Sequence, residues 1–434
     1  MNIAYITAGA AGMYCGSCLR DNTLVGALHR LGVDVQLIPT YTPIRTDEQD
    51  YSIDRVFYGG INVFLQQRFP PFRYLPALVD RWLDQPWLIR WAAGRGIETS
   101  PQQLGDLTVS MLRGSAGHQR KEVQRLVGWL EKSVRPNLIN LSNMLIGGCI
   151  GALKQALGVP VLVTLQGDDV FLNELPEPYK TQALDEIRRL AGEVDGFLVF
   201  SRYYADYMAG YLDIPPEKFH IVQMGVNIAD FQDNHPTDQE TDGSRRPPTI
   251  GYLARLAPAK GLHYLVDAFL RLRERPGLEK ARLHIAGWLG EPDRKYADRQ
   301  FARLRAAGLA DAFHYAGAVN RQEKIQFLHG LDVLSVPTTY HEPKGIFVLE
   351  ALAAGVPVVQ PEHGAFPELL ASTGGGRLVR PDDPRHLADT LAELLTDPAG
   401  RAKLAREGRE TVQRDFDSQS MARATLQVYQ QYLE

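Results

Sequence analysis

Two glutamates, eight residues apart, flank the start of a segment whose composition favours a short helix. Glu342 precedes this segment, and Glu350 lies inside it, about a turn and a half from its beginning. The first amides of such a helix, those of Gly345, Ile346 and Phe347, have no intrahelical partner and suit a diphosphate. Because one carboxylate accepts hydrogen bonds from two neighbouring hydroxyls, the pair can hold two sugar rings beside the phosphates.

The elements that position these residues alternate between strand and helix. Residues 3–7 are a short apolar run, Leu24, Leu28 and Leu31 follow at helical spacing, and residues 33–38 are apolar again. Further apolar runs typical of strands lie at 160–165, 196–200, 249–253, 282–286, 313–316 and 333–337. This order predicts an α/β fold with parallel sheets covered by helices.

A polar stretch at 230–248 has no periodic apolar face and is typical of a linker. It separates an N-terminal domain, 1–229, from a second domain, 249–415, and the last segment, 416–434, predicts a closing helix. Doubly wound α/β domains bind ligands at the carboxyl ends of their strands. The cleft between the two domains is therefore the predicted active site.

The motifs around the glutamates resemble those of the retaining glycosyltransferases of family four. Glu342-Pro343-Lys344-Gly345 and Glu350-Ala351 match the family's glutamate pair, and residues 251–261 look like its phosphate-binding segment. Further matches are Ser201-Arg202, Gly225-Val226-Asn227, Gly287 and the stretch 364–368. The likeness covers almost the whole chain after Leu157.

The resemblance implies a GT-B fold, with two Rossmann-like domains and a cleft between them. The first domain, completed by 416–434, would bind the acceptor, and the second would bind a nucleotide diphosphate sugar. Arg255 and Lys260 would neutralise the diphosphate and stabilise the charge that grows on it, Glu342 would contact the donor sugar, and Glu350 the ribose. The implied reaction is a hexosyl transfer that retains anomeric configuration and needs no metal ion.

Four small or polar positions complete the predicted site. The glycine-rich turn that contains Gly12 and Gly16 borders the donor phosphate and the acceptor in this family, and Gly287 falls in a further matching position on the donor side. After the strand at 161–165 the family usually has a histidine, whereas this chain has Gln166. An amide hydrogen-bonds a sugar hydroxyl but takes no proton, so Gln166 is predicted as an acceptor contact.

Other chemistries suggested by short motifs are less consistent with the chain. The first turn lacks the Gly-x-Gly-x-x-Gly pattern of nicotinamide enzymes. Cys15 and Cys18 have thioredoxin spacing without a thioredoxin-sized module, so packing in a turn is favoured over redox chemistry. Asp415 and Asp417 form an Asp-x-Asp motif, but they stand where a helix begins and are predicted to cap it. We therefore expect no metal and no other cofactor.

The segment 66–95 is rich in aromatic residues and arginine and holds three of the protein's five tryptophans. Arginines bind acidic groups or lipid headgroups, and aromatic rings stack on sugars. Arg68 and Arg73 are accordingly predicted to contact an acidic sugar or a lipid-linked acceptor, which includes the possibility of peripheral membrane contact. Core packing of the same residues is the alternative.

Composition limits the remaining function classes. A formal charge of −4 over 434 residues argues against a nucleic-acid binder, and three cysteines are too few for a disulfide framework. The N-terminus has no secretory pattern and no apolar run is long enough for a membrane span, so a cytoplasmic location is expected. A catalytically inactive sugar-nucleotide-binding subunit, a GT-B epimerase and a phosphorylase are the alternative functions.

Overall fold

A computed structural model of the chain describes residues 1–9, 15–58, 63, 66–67, 101–231 and 246–434. These residues form two compact units. The first comprises Met1–Gln223 and Met421–Glu434, and the second comprises Met224–Ser420. Each unit contains a six-stranded parallel sheet with helices, which confirms the α/β class of the sequence prediction.

The sheet of the first unit has the strand order β2-β1-β3-β4-β5-β6. Its strands are β1 (Asn2–Thr7), β2 (Asp34–Pro39), β3 (Leu138–Leu141), β4 (Val161–Thr164), β5 (Gly196–Val199) and β6 (Phe219–Ile221). Successive residues of β1 belong to opposite core clusters, Ala4 and Ile6 to one, Ile3 and Tyr5 to the other. A strand buried on both faces is characteristic of a sheet covered by helices on either side.

The sheet of the second unit has the strand order β12-β11-β10-β7-β8-β9. Its strands are β7 (Thr249–Leu253), β8 (Arg282–Ala286), β9 (Phe313–Tyr315), β10 (Val333–Leu334), β11 (Val358–Pro361) and β12 (Gly376–Val379). The chain places β8 and β9 on one side of β7 and then returns to place β10 on the other side. This is the strand order of dinucleotide-binding domains.

Helices connect the strands of both units. In the first unit they are α1 (Gly16–Arg30), α2 (Pro101–Leu112), α3 (Arg120–Trp129), α4 (Ile150–Leu157), α5 (Asp168–Glu174), α6 (Tyr179–Ala191) and α7 (Arg202–Leu212). In the second they are α8 (Leu262–Arg273), α9 (Arg294–Ala306), α10 (Arg321–His329), α11 (Ile346–Ala353), α12 (Phe366–Thr373), α13 (Pro384–Thr396) and α14 (Pro398–Asp415). The last helix, α15 (Ser418–Gln431), begins in the second unit and continues into the first.

Two boundaries differ by more than one residue from the sequence-based expectations. β10 ends at Leu334 rather than at Pro337, because the amide of Val336 donates to the Gln360 side chain (3.3 Å) and Pro337 has no amide hydrogen. The second unit begins at Met224, since the backbone of Val226 pairs with residues at the end of α14 and the start of α15. Within the described ranges no helix is both long and apolar enough to cross a membrane.

Candidate active site

The strand order of the second sheet brings the predicted donor-site residues to one edge. The strand order reverses at the neighbouring parallel strands β7 and β10, since β8 and β9 lie beyond β7 and β11 and β12 lie beyond β10. Ligands of such sheets bind at this point, beyond the carboxyl ends of the strands. Arg255 and Lys260 follow β7, Gly287 follows β8, and Glu342 follows β10. Residues distant in the sequence thus reach the same edge because their strands are adjacent and parallel.

Glu342 is buried there and accepts hydrogen bonds on both carboxylate oxygens. Its Oε2 lies 2.7 Å from the Lys260 ammonium and 2.5 Å from the Tyr340 hydroxyl. Its Oε1 faces the amides of Lys344 and Gly345 at 3.3 and 3.4 Å. Burial by itself raises the pKa of this carboxyl, but the Lys260 charge and the hydrogen bonds outweigh burial and lower the pKa to about 2. The side chain is therefore an anion at every ordinary pH.

The helix start predicted to bind a diphosphate is that of α11. Gly345, with a φ of 71°, directly precedes the helix, and Ile346 and Phe347 are its first two residues. A helix N-terminus favours negative charge, and in this structure the carboxylate of Glu342 lies beside it. The same corner of the second unit therefore contains an ammonium group, a helix start and a carboxylate.

Two glycines allow neighbouring loops to approach this corner closely. Gly364 has a φ of 61°, and a Cβ there would lie 2.6 Å from the amide nitrogen of Glu342. Gly287 has a φ of 142°, and a Cβ there would lie 1.8 Å from the carbonyl oxygen of Ala254. A side chain at either position would displace the backbone next to the site, so both positions require glycine.

Glu350 forms a buried ion pair that sequence reasoning missed. Its Oε1 lies 2.5 Å from the ammonium of Lys324 on α10, and the two side chains are 6% and 7% exposed. Lys324 is buried in α10 together with Ile325 and Leu328. In the sequence it directly follows the polar Glu323, so the local pattern gave no clear signal of its burial. The resemblance predicts a ribose contact for Glu350; the geometry adds that this carboxylate is already charge-paired.

Arg255 differs from Lys260 in its surroundings. It is exposed, and its guanidinium forms no ion pair with any residue of the described ranges. Its backbone is fixed, because its carbonyl accepts hydrogen bonds from the Tyr252 hydroxyl at 3.1 Å and the Ala257 amide at 2.9 Å. The chain therefore presents a guanidinium just beyond β7 that no carboxylate of the described ranges neutralises.

Gln166 lies after β4 in the first unit and is buried. Its Nε2 donates to Asp21 Oδ1 and to the carbonyl of Ser142, both at 2.9 Å. Both partners are acceptors, which fixes the orientation of the amide, and its buried Oε1 has no hydrogen-bond partner among the described residues. Burial raises the pKa of Asp21, and the adjacent Arg20 opposes that rise. Sequence reasoning missed this polar cluster beneath Gln166.

The remaining predicted residues are placed as follows. Gly16 is the first residue of α1, directly after the N-cap Cys15. Gly12, Arg68 and Arg73 lie outside the described residues. Their roles stay predictions.

The aspartates of the Asp-x-Asp motif are engaged locally. Asp417 accepts a hydrogen bond from the amide of Ser420 at 2.6 Å, as expected of a cap at the start of α15, and Asp415 pairs with Arg414. Across the part of the chain that the structure describes, no group of three or more potential metal ligands occurs.

Comparison with known families places these features in context. The family model for glycosyl transferases group 1 matches residues 235–411, which include Arg255, Lys260, Glu342 and Glu350. The model for glycosyltransferase family 4 matches residues 106–230. Together the two matches span most of the chain.

Characterised relatives and solved structures agree with this assignment. A glycogen synthase of Mycobacterium tuberculosis is 28% identical over 69% of this chain and 70% of its own length. A D-inositol 3-phosphate glycosyltransferase of Saccharomonospora viridis is 25% identical over 86% and 89%. The fold is shared with a sucrose-phosphate synthase from Thermosynechococcus elongatus, at a TM-score of 0.70 with 20% identity over 99% of both chains.

A second structural neighbour is the Anabaena protein HepE, solved in complex with UDP and glucose. It has a TM-score of 0.68 and 16% identity, and the alignment covers 99% of this chain and 100% of HepE. With two parallel sheets, the donor-site motifs after β7 and β10 and these matches, the chain belongs to the group 1 glycosyltransferases, enzymes of the GT-B fold that use nucleotide sugars.

Proposed function

We propose that this enzyme transfers a hexosyl group from a nucleoside diphosphate sugar with retention of anomeric configuration and without a metal ion. The bond between the anomeric carbon and the diphosphate oxygen breaks, and an acceptor hydroxyl attacks from the face that the diphosphate leaves. The acceptor's proton passes to the departing diphosphate. No nucleophile of the protein takes part.

Cationic side chains supply the stabilisation that this reaction needs. The diphosphate gains negative charge as it leaves, and Lys260 and Arg255 stand at the end of β7 to meet it, together with the first amides of α11. Arg255 is exposed and has no carboxylate partner among the described residues, so its charge is available to a ligand. Charges fixed before the reaction act without reorganisation, which makes them effective in the transition state.

Two carboxylates are assigned to the sugars of the donor. Glu342 lies beside Lys260 and the helix start, which suits a hydroxyl of the transferred hexose. Glu350 lies within α11, and its Oε1 contacts Lys324. Its other carboxylate oxygen, Oε2, suits a ribose hydroxyl. The observation that carries the proposal is the contact of Lys260 with Glu342 at the edge where β7 and β10 meet.

The acceptor is assigned to the first unit. The proposal follows the arginine-rich composition of 66–95 and names a polar sugar with an acidic group, or a lipid-linked sugar, as the substrate class. One relative, the D-inositol 3-phosphate glycosyltransferase of Saccharomonospora viridis, is named for a phosphorylated compound, which supports an acidic acceptor.

A donor panel tests the proposal. Purified protein is incubated with uridine, guanosine and adenosine diphosphate sugars, nucleotide release is measured, and the first sugar product is examined by proton NMR. We expect release from one donor class and a product with the anomeric configuration of the donor. An inverted product would refute retention, and the absence of release from every donor would refute the function.

A further inference from the structure

The hydroxyl of Tyr340 lies between the two charged groups of the candidate donor site. It donates a hydrogen bond to Glu342 Oε2 at 2.5 Å and accepts one from the Lys260 ammonium, which itself lies 2.7 Å from the same carboxylate oxygen. The ammonium also lies 4.9 Å from the centroid of the Tyr340 ring, within the range of a cation–π contact. The three side chains thus form a closed triangle of contacts.

A diphosphate would share the Lys260 ammonium with this triangle. Lys260 has three N–H donors, of which Glu342 and Tyr340 take two, so a phosphate oxygen on the third competes with Glu342 Oε2 for the same positive charge. Tyr340 is a second side-chain donor to that oxygen within the described residues, while the amides of Lys344 and Gly345 face Oε1. The Tyr340 contact therefore helps to fix the carboxylate while Lys260 interacts with the phosphate.

Tyr340 is suited to this task because it stays protonated. Burial raises the pKa of its phenol well above the ordinary value, and the adjacent Glu342 charge raises it further. A neutral phenol donates to a carboxylate, and a hydrogen bond with one charged partner is stronger than a bond between neutral groups. Tyr340 offers Glu342 a donor that does not compete for the diphosphate as a cation does.

We propose that Tyr340 is a positioning residue for the donor sugar, which holds Glu342 in place while Lys260 binds the diphosphate. The inference rests on the proposed function. It predicts a separation between two ligands: loss of the Tyr340 hydroxyl should affect the nucleoside diphosphate sugar, whose hexose contacts Glu342, but not the free nucleoside diphosphate, which has no hexose.

The variant Tyr340→Phe tests this, because it keeps the ring and removes only the hydroxyl. For the donor class that the wild-type enzyme uses, kcat/KM is expected to fall about 10- to 100-fold, as for the loss of a hydrogen bond to a charged group. Calorimetric affinity for the corresponding nucleoside diphosphate is expected to stay within about twofold of wild type, which also proves a folded site. An equal loss of kcat/KM with the nucleoside diphosphate sugar and of affinity for the nucleoside diphosphate would overturn the inference. So would an unchanged kcat/KM with the nucleoside diphosphate sugar.

A double-mutant cycle with Glu342→Gln shows whether Tyr340 acts through the carboxylate. In the Glu342→Gln background the added Tyr340→Phe change is expected to cost less than about twofold in kcat/KM, since the carboxylate that it positions is gone. An undiminished effect would mean that Tyr340 acts independently. Tyr296→Phe is the matched control, because it removes a half-buried hydroxyl of the same unit that contacts His263.

The wild-type enzyme separates this inference from the function on which it rests. If wild type releases nucleotide and Tyr340→Phe behaves like the Tyr296→Phe control, only the positioning role is wrong. If wild type releases nucleotide from no donor, the proposed function is wrong and the positioning role falls with it.

Discussion

The ammonium of Lys324 lies 2.5 Å from the carboxylate of Glu350, and both side chains are almost completely buried. The two residues belong to α10 and α11, the helices that directly precede and follow β10 in the chain. Removing one member of a buried ion pair leaves the other charged and desolvated, whereas replacing both by apolar groups is often neutral. The pair therefore links the stability of the second unit to the carboxylate that is assigned to the ribose.

Glu350→Ala is expected to have two effects. It should lower the free energy of unfolding by about 3 kcal/mol or more, because it removes the buried carboxylate that is paired with Lys324. It should also weaken nucleoside diphosphate binding by about 1–3 kcal/mol through loss of the ribose contact. Urea unfolding and titration calorimetry measure the two quantities. The double variant Lys324→Met/Glu350→Leu should recover stability but not affinity; recovery of both would remove Glu350 from the nucleotide site.

Asp21→Asn is expected to destabilise the first unit by about 3 kcal/mol or more, because it removes the buried carboxylate that is paired with the guanidinium of Arg20. Urea unfolding gives the change in free energy. Asp34→Asn, at an exposed position at the start of β2, is the control. A loss no larger than that of the control would mean that the Asp21 carboxylate contributes little to the cluster beneath Gln166.

The low pKa of Glu342 predicts how its stabilising effect depends on pH. The carboxyl titrates near the ordinary value of 4.5 when unfolded and at about 2 when folded. Its ionised form therefore stabilises the fold above 4.5, and this contribution disappears as the pH falls through about 2. We expect Glu342→Gln to cost about 3 kcal/mol near neutral pH and progressively less below 4.5.

Urea unfolding of wild type and variant across this pH range tests the expectation. Glu274→Gln, which changes an exposed glutamate of the same unit, should show no such trend. A difference between wild type and Glu342→Gln that stays constant down to the lowest pH would contradict the charge pairing with Lys260.

Turnover is expected to survive EDTA, because Arg255, Lys260 and the amides at the start of α11 supply the positive charge that a divalent ion provides in metal-dependent transferases. The rate of nucleotide release after dialysis against the chelator should remain within about twofold of the untreated rate. Loss of activity that magnesium or manganese restores would contradict this and would make Asp415 and Asp417 candidate metal ligands.

Much of the second unit follows from local sequence patterns. The runs that become β7 and β8 have the predicted limits; Pro248 precedes β7 and Gly287 follows β8. The helix expected from Gly345 begins one residue later, at Ile346. Apolar periodicity and glycine breaks are sufficient here because each element is specified by its own residues.

Contacts between distant elements were not predictable in the same way. Lys324 and Glu350 are 26 residues apart, and Asp21 and Gln166 are 145 apart. Such pairs meet only because the strand order brings their helices and loops together, which no local pattern encodes. The role of Tyr340 was missed for the same reason: its partner Lys260 precedes it by 80 residues.

The most direct test of the central claim, that Lys260 stabilises the departing diphosphate, is the turnover of Lys260→Met with the donor class that wild type uses. We predict that kcat falls about 100-fold or more while KM changes less than about threefold, since the lysine acts chiefly in the transition state. Glu342 keeps Tyr340 and two amides as partners in this variant, and Lys280→Met, at an exposed site of the same unit, is the control. An unchanged kcat with a raised KM would contradict the account, because Lys260 would then contribute to ground-state binding alone.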